Sequence, residues 1–176
     1  MISNNSSGAR SVLYGKTIDH VLDLHVALAD SSVVHFKPLN KDDLDAVCNE
    51  SSLEAECYRT VRRLVAQHKK NIAERYPSIL RRVGGYNLNC FVNQNEPFNL
   101  AKLVVGSEGT LGLILEARLN LVPLPKAKVV MTIEYDNLLD ALGETPAILL
   151  HKPSAVEVMD SSIPVSYTHL TLPTKA

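Results

Sequence analysis

Alternating apolar and polar positions predict two neighbouring strands near the beginning of the chain. Every second residue of the segment 22–28 is Leu or Val, which is the pattern of a half-buried strand. Polar residues at 30–32 predict a turn into a second strand at 33–36, so that the two strands would form a hairpin. The polar segments on either side, residues 17–20 and 37–49, predict a turn and a connecting loop.

An apolar side chain at every third or fourth position predicts one long amphipathic helix. This helix would begin near Leu53 and stop at Pro77. Ser51 and Glu54 have the spacing of a capping box, in which two side chains bond the unpaired backbone N–H groups at the start of a helix. No arrangement of residues in the helix resembles a catalytic site.

Glycine recurs at every third position of the segment GSEGTLG, residues 106–112, which we call the glycine loop. Apolar runs at 103–105 and 113–121 predict a strand on each side of it. Glycines cost backbone entropy, so they are expected where φ is positive or where another group approaches the main chain closely. The spacing differs from the dinucleotide fingerprint and from the P-loop. The residues alone leave a tight turn and a ligand-binding loop both open.

The pattern changes after the two prolines at 123 and 125. Alternation predicts strands at 129–135, 147–150 and 155–159, with a short helix at 137–142. Strand, helix and strand joined by short connections are typical of the opening of an α+β domain. We therefore predict one domain over residues 1–125 and the start of a second domain over residues 126–164.

Composition narrows the class of protein without identifying it. The chain has 176 residues, 45% of them hydrophobic, and a net charge of −1, which gives no support to a nucleic-acid partner. It has no run of about 20 apolar residues that would span a membrane. Cys48, Cys57 and Cys90 lack the spacing of a metal site, and we expect reduced thiols in a cytoplasmic protein. The histidines form no catalytic triad, so no complete catalytic apparatus is visible.

Two segments, SNNSSGARSVLYG at 3–15 and GSEGTLGLILEA at 106–117, resemble motifs of the FAD-linked oxidases of the vanillyl-alcohol-oxidase type. That family includes D-lactate, glycolate and D-2-hydroxyglutarate dehydrogenases. The resemblance covers roughly residues 1–160 and implies an α+β fold. It implies the second half of a PCMH-type FAD-binding domain, with a helical insertion at about 51–76, followed by the start of a substrate-binding cap domain.

The resemblance also implies that residues 4–10, which we call the first loop, lie against the flavin ring and that the glycine loop contacts the flavin nucleotide. Small side chains and free backbone amides suit both contacts. Glu108 would be repelled by a pyrophosphate, so we interpret it as a structural acceptor of backbone N–H groups. Asn87 is expected to position a neighbouring loop. The implied FAD-binding residues are Asn4, Asn5, Ser6, Ser7, Gly8, Arg10, Gly106, Ser107, Gly109, Thr110 and Gly112.

The activity that the resemblance implies is oxidation of a D-2-hydroxy acid by hydride transfer to FAD. A quinone, a flavoprotein or an iron–sulfur carrier would then accept the electrons, and the parent enzyme would be cytoplasmic or peripheral to the inner membrane. Two alternatives remain open. One is a relative of the ether-lipid (alkylglycerone-phosphate) synthases, which use the same flavin domain, and the other is a non-catalytic α+β binding module.

The last residues, 165–176, resemble the translated sequence of a transposase sequencing adapter. We expect this tail to be non-native, with a disordered native tail as the alternative. We also expect the chain to be a fragment, with the catalytic residues beyond it and with poor FAD binding by the fragment alone. No metal site is expected.

Overall fold

The computed structural model describes residues 1–93 and 95–160. The predicted tail at 165–176 lies outside the described residues. Helices and strands alternate irregularly along the chain, so the described part is mixed α and β. Its elements are α1 (Ser11–Tyr14), α2 (Thr17–His20), β1 (Val21–Ala27), β2 (Val33–Phe36), α3 (Lys41–Cys48), α4 (Leu53–Arg75), a 3-10 turn (Leu88–Phe91), α5 (Ala101–Val104), β3 (Leu113–Leu119) and α6 (Leu138–Leu150).

The strands form one antiparallel sheet in the order β2-β1-β3. The predicted hairpin of β1 and β2 is confirmed, with Leu24 opposite Phe36. Ser31 adopts a positive φ of 67° in its turn, and the Asp30 carboxylate accepts hydrogen bonds from Ser32. The strand predicted after the glycine loop is also confirmed as β3.

One prediction about β1 is wrong, because Leu22 does not face the core. Its side chain is 40% exposed, whereas its neighbours Val21 and Asp23 are buried. The pairing of β1 with β3 shifts between Val21 and Asp23. Such a bulge interrupts the strict alternation of the two faces of a strand, so the residues before and after it can share one face.

Three loop or strand predictions are also wrong, because these segments are helical. Residues 17–20 form the single turn α2, and residues 101–104 form the single turn α5 where a strand was expected at 103–105. Within 37–49 the chain forms α3, whose first turn is capped by Asn40 through a 2.9 Å hydrogen bond from Asp43 N–H. An asparagine cap followed by acidic residues stabilises a helix start even where apolar periodicity is weak.

The long helix is confirmed as α4 and ends at Arg75, just before Pro77. Its cap differs from the predicted one, because Ser52 rather than Ser51 accepts the hydrogen bond from Ala55 N–H, at 3.2 Å. The capping box with Glu54 is therefore not formed.

Tyr58 of α4 is the largest fully buried side chain and joins the helix to the sheet. Its ring packs edge-on against Phe36 of β2 and also contacts Phe98, with centroids 5.9 and 6.0 Å away. Burial raises the pKa of Tyr58, so its hydroxyl stays neutral. The core therefore lies between α4 and one face of the sheet.

Residues 121–160 contribute no buried side chain. The strands predicted at 129–135 and 155–159 are absent there, and 147–150 belongs to α6, which extends the helix predicted at 137–142. A strand needs a neighbouring strand to satisfy its backbone, and none of the described strands lies beside these segments. The domain boundary at the prolines stays a prediction.

No helix in the described part is long and apolar enough to cross a membrane.

Asp23 of β1 forms an ion pair with Arg118 of β3 and lies beside His35 of β2. It lies 3.1 Å from His35 Nε2 and 2.5 Å from Arg118 Nη2, although its own side chain is only 7% exposed. Burial alone would raise the pKa of Asp23, but the neighbouring His35 ring and the charge of Arg118 more than compensate. The pKa of Asp23 therefore lies below its usual value of 3.8.

We expect Asp23→Asn to lower the free energy of unfolding by about 1 kcal/mol at neutral pH. A carboxylate with a lowered pKa in the folded state stabilises the fold above its ordinary pKa, and this stabilisation is lost as the pH falls through the folded-state value. The difference from wild type should therefore shrink in acid. Urea unfolding at pH 7 and pH 3 measures it, with exposed Asp136→Asn as the control. An equal difference at both pH values would contradict this prediction.

Candidate functional site

Asn5 lies in the first loop and is completely buried. Its backbone has a φ of +47°, a left-handed conformation that asparagine tolerates better than most residues. Its Oδ1 accepts a 2.9 Å hydrogen bond from the backbone N–H of Ile18, in the first turn of α2. The first turn of a helix leaves such an N–H without a partner in its own helix. Asn5 therefore fixes the first loop against α2.

The glycine loop is bonded to the residues just before the first loop. Gly106 N–H donates to the Ile2 carbonyl at 3.1 Å, and Glu108 N–H donates to the Ser3 carbonyl at 2.8 Å. Gly106 has a φ of +82°, and a Cβ at this position would lie only 3.1 Å from the Cβ of Asn5. The missing side chain therefore lets the two loops meet.

Asn87 holds the entry to the glycine loop, which confirms its predicted positioning role. It is 1% exposed, and its Nδ2 donates to the carbonyls of Val105 and Lys102 at 2.7 and 3.2 Å. Both carbonyls come shortly before Gly106 along the chain. The side chain therefore replaces hydrogen bonds that a continuing helix would have made after α5.

The predicted FAD-binding residues differ in how they are placed. Where the two loops meet, the site residues are buried or half-buried, and the remainder lie towards the surface. The first group comprises Asn5, Ser6, Ser7, Gly106 and Ser107; the exposed residues are Asn4, Gly8, Arg10, Gly109 and Thr110, and Gly112 is half-buried against β1.

Gly112 is explained by packing within the fold. A Cβ at this position would lie 2.6 Å from Val26 Cγ1 and 2.9 Å from the Ala27 carbonyl oxygen. The close approach of β1 therefore requires glycine here, whatever the loop binds.

The interpretation of Glu108 as a side-chain acceptor is wrong. Its carboxylate is exposed and accepts no hydrogen bond from the described residues. The residue contributes its backbone instead, with a φ of +53° and an N–H that donates to Ser3. The turn uses the main chain of Glu108 and leaves its charge in solvent.

Sequence reasoning missed Lys102 and Tyr86. The Lys102 ammonium donates to the carbonyls of Ile18 and Val21 at 2.6 and 2.7 Å, and burial lowers its pKa. The Tyr86 hydroxyl lies 2.8 Å from Thr110 Oγ1, which donates to the Ser107 carbonyl. A lone lysine within an apolar run was the only sequence signal for the first residue, and nothing pointed to the second.

Comparison with known proteins gives a consistent set of relatives, although no protein-family model matches the chain. The chain is 35% identical over 163 residues to the D-2-hydroxyglutarate dehydrogenase of Pseudomonas putida KT2440, and 32% identical over 164 residues to that of Escherichia coli K12. Both alignments cover 93% of the chain. Glycolate oxidase subunit GlcD of Bacillus subtilis 168 is 28% identical over 181 residues, which cover 99% of the chain and 27% of that subunit.

These relatives support an FAD-linked oxidase family for the chain, close to these dehydrogenases and oxidases. The chain spans about 16% of the length of the two D-2-hydroxyglutarate dehydrogenases that it matches.

The two loops contain buried polar atoms without partners. Asn5 Nδ2, Ser7 Oγ and Ser107 Oγ are inaccessible to solvent and bond no atom of the described residues, and the same is true of Ser11 Oγ at the start of α1. A buried polar group without a hydrogen bond costs about 1–3 kcal/mol, so such groups are rarely left unpaired without a reason. Donors clustered on two glycine-containing loops fit the oxygen and nitrogen atoms of a flavin nucleotide.

The described residues of the chain form no cluster with metal-binding geometry. No group of three His, Cys, Asp or Glu side chains within residues 1–93 and 95–160 could hold a metal ion. The two ring nitrogens of His20 lie 2.6 Å from the Tyr14 carbonyl oxygen and 3.3 Å from that of Asn120. Its ring is therefore used in the fold.

Proposed function

We propose that the chain is part of an FAD-dependent oxidoreductase that oxidises a D-2-hydroxy acid. The observation that carries this proposal is the junction of the first loop and the glycine loop, where Asn5 Nδ2 and Ser107 Oγ are buried without partners. The names of the relatives support the substrate class, since they include D-2-hydroxyglutarate dehydrogenases and a glycolate oxidase subunit.

In this proposal Asn5, Ser7 and Ser107 donate hydrogen bonds to the bound FAD. Gly8 and Gly109 have nothing within 4 Å of where a Cβ would stand, so a planar ring could approach the main chain there. The chemistry that a bound flavin supplies is the acceptance of a hydride from the substrate carbon. The residues of this chain hold and orient the cofactor, and we assign the substrate-binding groups to other parts of the parent enzyme.

The finer fold assignment belongs to the same proposal. Residues 1–125 would be the second half of a PCMH-type FAD-binding domain, with α4 in a helical insertion, and residues 126–164 would begin the cap domain. The sharp contrast between the buried core before residue 108 and the exposed residues after 120 supports a boundary near the prolines. The electron acceptor would be a quinone, a flavoprotein or an iron–sulfur carrier, and the enzyme would work in the cytoplasm.

Anaerobic mixing of the full-length FAD-loaded protein with candidate substrates tests the activity. We expect D-2-hydroxyglutarate, D-lactate or glycolate to bleach the visible absorbance of the flavin, with an order-of-magnitude preference for one of them. The L enantiomers of the two chiral acids are the matched controls. If none of these acids bleached the bound FAD, the substrate class would be wrong. That result would favour a flavoenzyme without net oxidation, such as an alkyl-transferring synthase.

A further inference from the structure

Residues 76–87 connect α4 to the 3-10 turn. The end of this segment contacts the chain just before the glycine loop and also contacts the second half of the loop. At the entry, Asn87 Nδ2 donates to the Val105 carbonyl at 2.7 Å. At the far end, the Tyr86 hydroxyl lies 2.8 Å from Thr110 Oγ1. These two contacts come from adjacent residues and are made on opposite sides of the turn at Gly106–Gly109. The connecting segment therefore holds the turn from both sides.

Arg82 determines which way the Asn87 amide points. Its Nη2 donates to Asn87 Oδ1 at 3.0 Å and to Asn89 Oδ1 at 2.6 Å. If the amide were reversed, the NH₂ group would face the guanidinium and the oxygen would face the two carbonyls before the glycine loop. Both contacts would then be repulsive. The guanidinium therefore keeps the Asn87 donors directed at Val105 and Lys102.

Tyr76, the residue that follows α4, contacts both Arg82 and Tyr86 of the connecting segment. The Arg82 guanidinium lies over its ring, with Cζ 4.8 Å from the ring centroid. Its hydroxyl donates to the Tyr86 carbonyl at 2.8 Å. The ring thus supports Arg82 through a cation–π contact, and the hydroxyl fixes the residue that bonds Thr110.

We propose that Tyr76 and Arg82 are positioning residues that hold the glycine loop in the conformation that binds FAD. Neither residue needs to touch the cofactor, since they act through Asn87 and Tyr86. Through them the end of the helical insertion is coupled to the cofactor site. This inference rests on the proposed function.

Two conservative substitutions in the full-length protein test the proposal. Tyr76→Phe keeps the ring under Arg82 and removes the hydrogen bond to the Tyr86 carbonyl. Arg82→Lys keeps the charge but removes the Nη2 group that donates to both asparagines and the planar guanidinium that lies over the Tyr76 ring. We expect each to raise the dissociation constant for FAD by about threefold to tenfold and to shift the visible absorption maxima of the bound flavin. The control variants are Tyr135→Phe and Arg75→Lys, which make the same changes elsewhere. The side chains of Tyr135 and Arg75 have no partner in the described part, so these variants should leave both readouts unchanged.

The outcomes separate this inference from the proposed function. If wild-type protein binds FAD and both variants bind it with unchanged affinity and spectrum, the positioning role is wrong and the proposed function stands. The positioning role is equally wrong if FAD affinity falls only in proportion to the loss of folded protein, measured by thermal unfolding without FAD. If wild-type full-length protein binds no FAD, the proposed function and this inference are both overturned.

Discussion

Replacing Asn5 by alanine should weaken FAD binding to the full-length protein by about 30-fold. The Nδ2 group is buried without a partner in the described residues, and in our proposal it donates a hydrogen bond to the bound cofactor. The same substitution leaves the Ile18 N–H unpaired and puts alanine at a φ of +47°, so the first loop also loses its anchor to α2. A loss of about 2 kcal/mol in binding free energy corresponds to this factor. Titration of the FAD-free protein with FAD measures it.

Asn71→Ala is the matched control for this prediction. Asn71 lies in α4, outside the predicted FAD-binding residues, is exposed, and makes no side-chain hydrogen bond within the described residues. We expect its alanine variant to bind FAD within about twofold of wild type. Equal affinities of the two variants would show that the buried amide of Asn5 does not contribute to the cofactor site.

Replacing Gly112 by alanine should lower the free energy of unfolding by about 3 kcal/mol. The new Cβ would lie 2.6 Å from Val26 Cγ1 and 2.9 Å from the Ala27 carbonyl oxygen. The carbonyl belongs to the central strand and cannot move aside without disturbing the pairing of β1 with its neighbours. We therefore expect a large loss of stability, measured by urea or thermal unfolding.

Gly109→Ala separates this clash from backbone strain. Gly109 lies in the same loop with a φ of +80°, and a Cβ there has nothing within 4 Å. Alanine at this position should cost only about 1 kcal/mol, the ordinary penalty for a left-handed conformation. If Gly112→Ala proved no more destabilising than Gly109→Ala, the packing explanation for Gly112 would be wrong.

Local patterns in the sequence predicted the elements whose own residues determine them. The hairpin, α4 and β3 each have a clear period of two or of three to four, and all three are present. The prediction that Leu22 faces the core was wrong. The bulge beside Leu22 depends on how β1 pairs with β3, which comes about 90 residues later in the chain. The helix α3 was missed because an asparagine cap and acidic first turn, rather than an apolar stripe, mark its start.

The candidate site was predictable only in part. Spacing alone left the glycine loop open between a turn and a ligand-binding loop, and it was the family resemblance that paired it with the first loop. The roles of single residues depend on contacts that no local pattern encodes. Gly106 is glycine because Asn5 packs against it, and Glu108 contributes its backbone while its charge stays in solvent.

An experimental structure of the full-length protein with FAD tests the central claim most directly. We predict flavin-nucleotide atoms within about 3.5 Å of both Asn5 Nδ2 and Ser107 Oγ, with Gly106 N–H still bonded to the Ile2 carbonyl. FAD bound elsewhere, with those two polar atoms bonded only to protein or water, would contradict this claim.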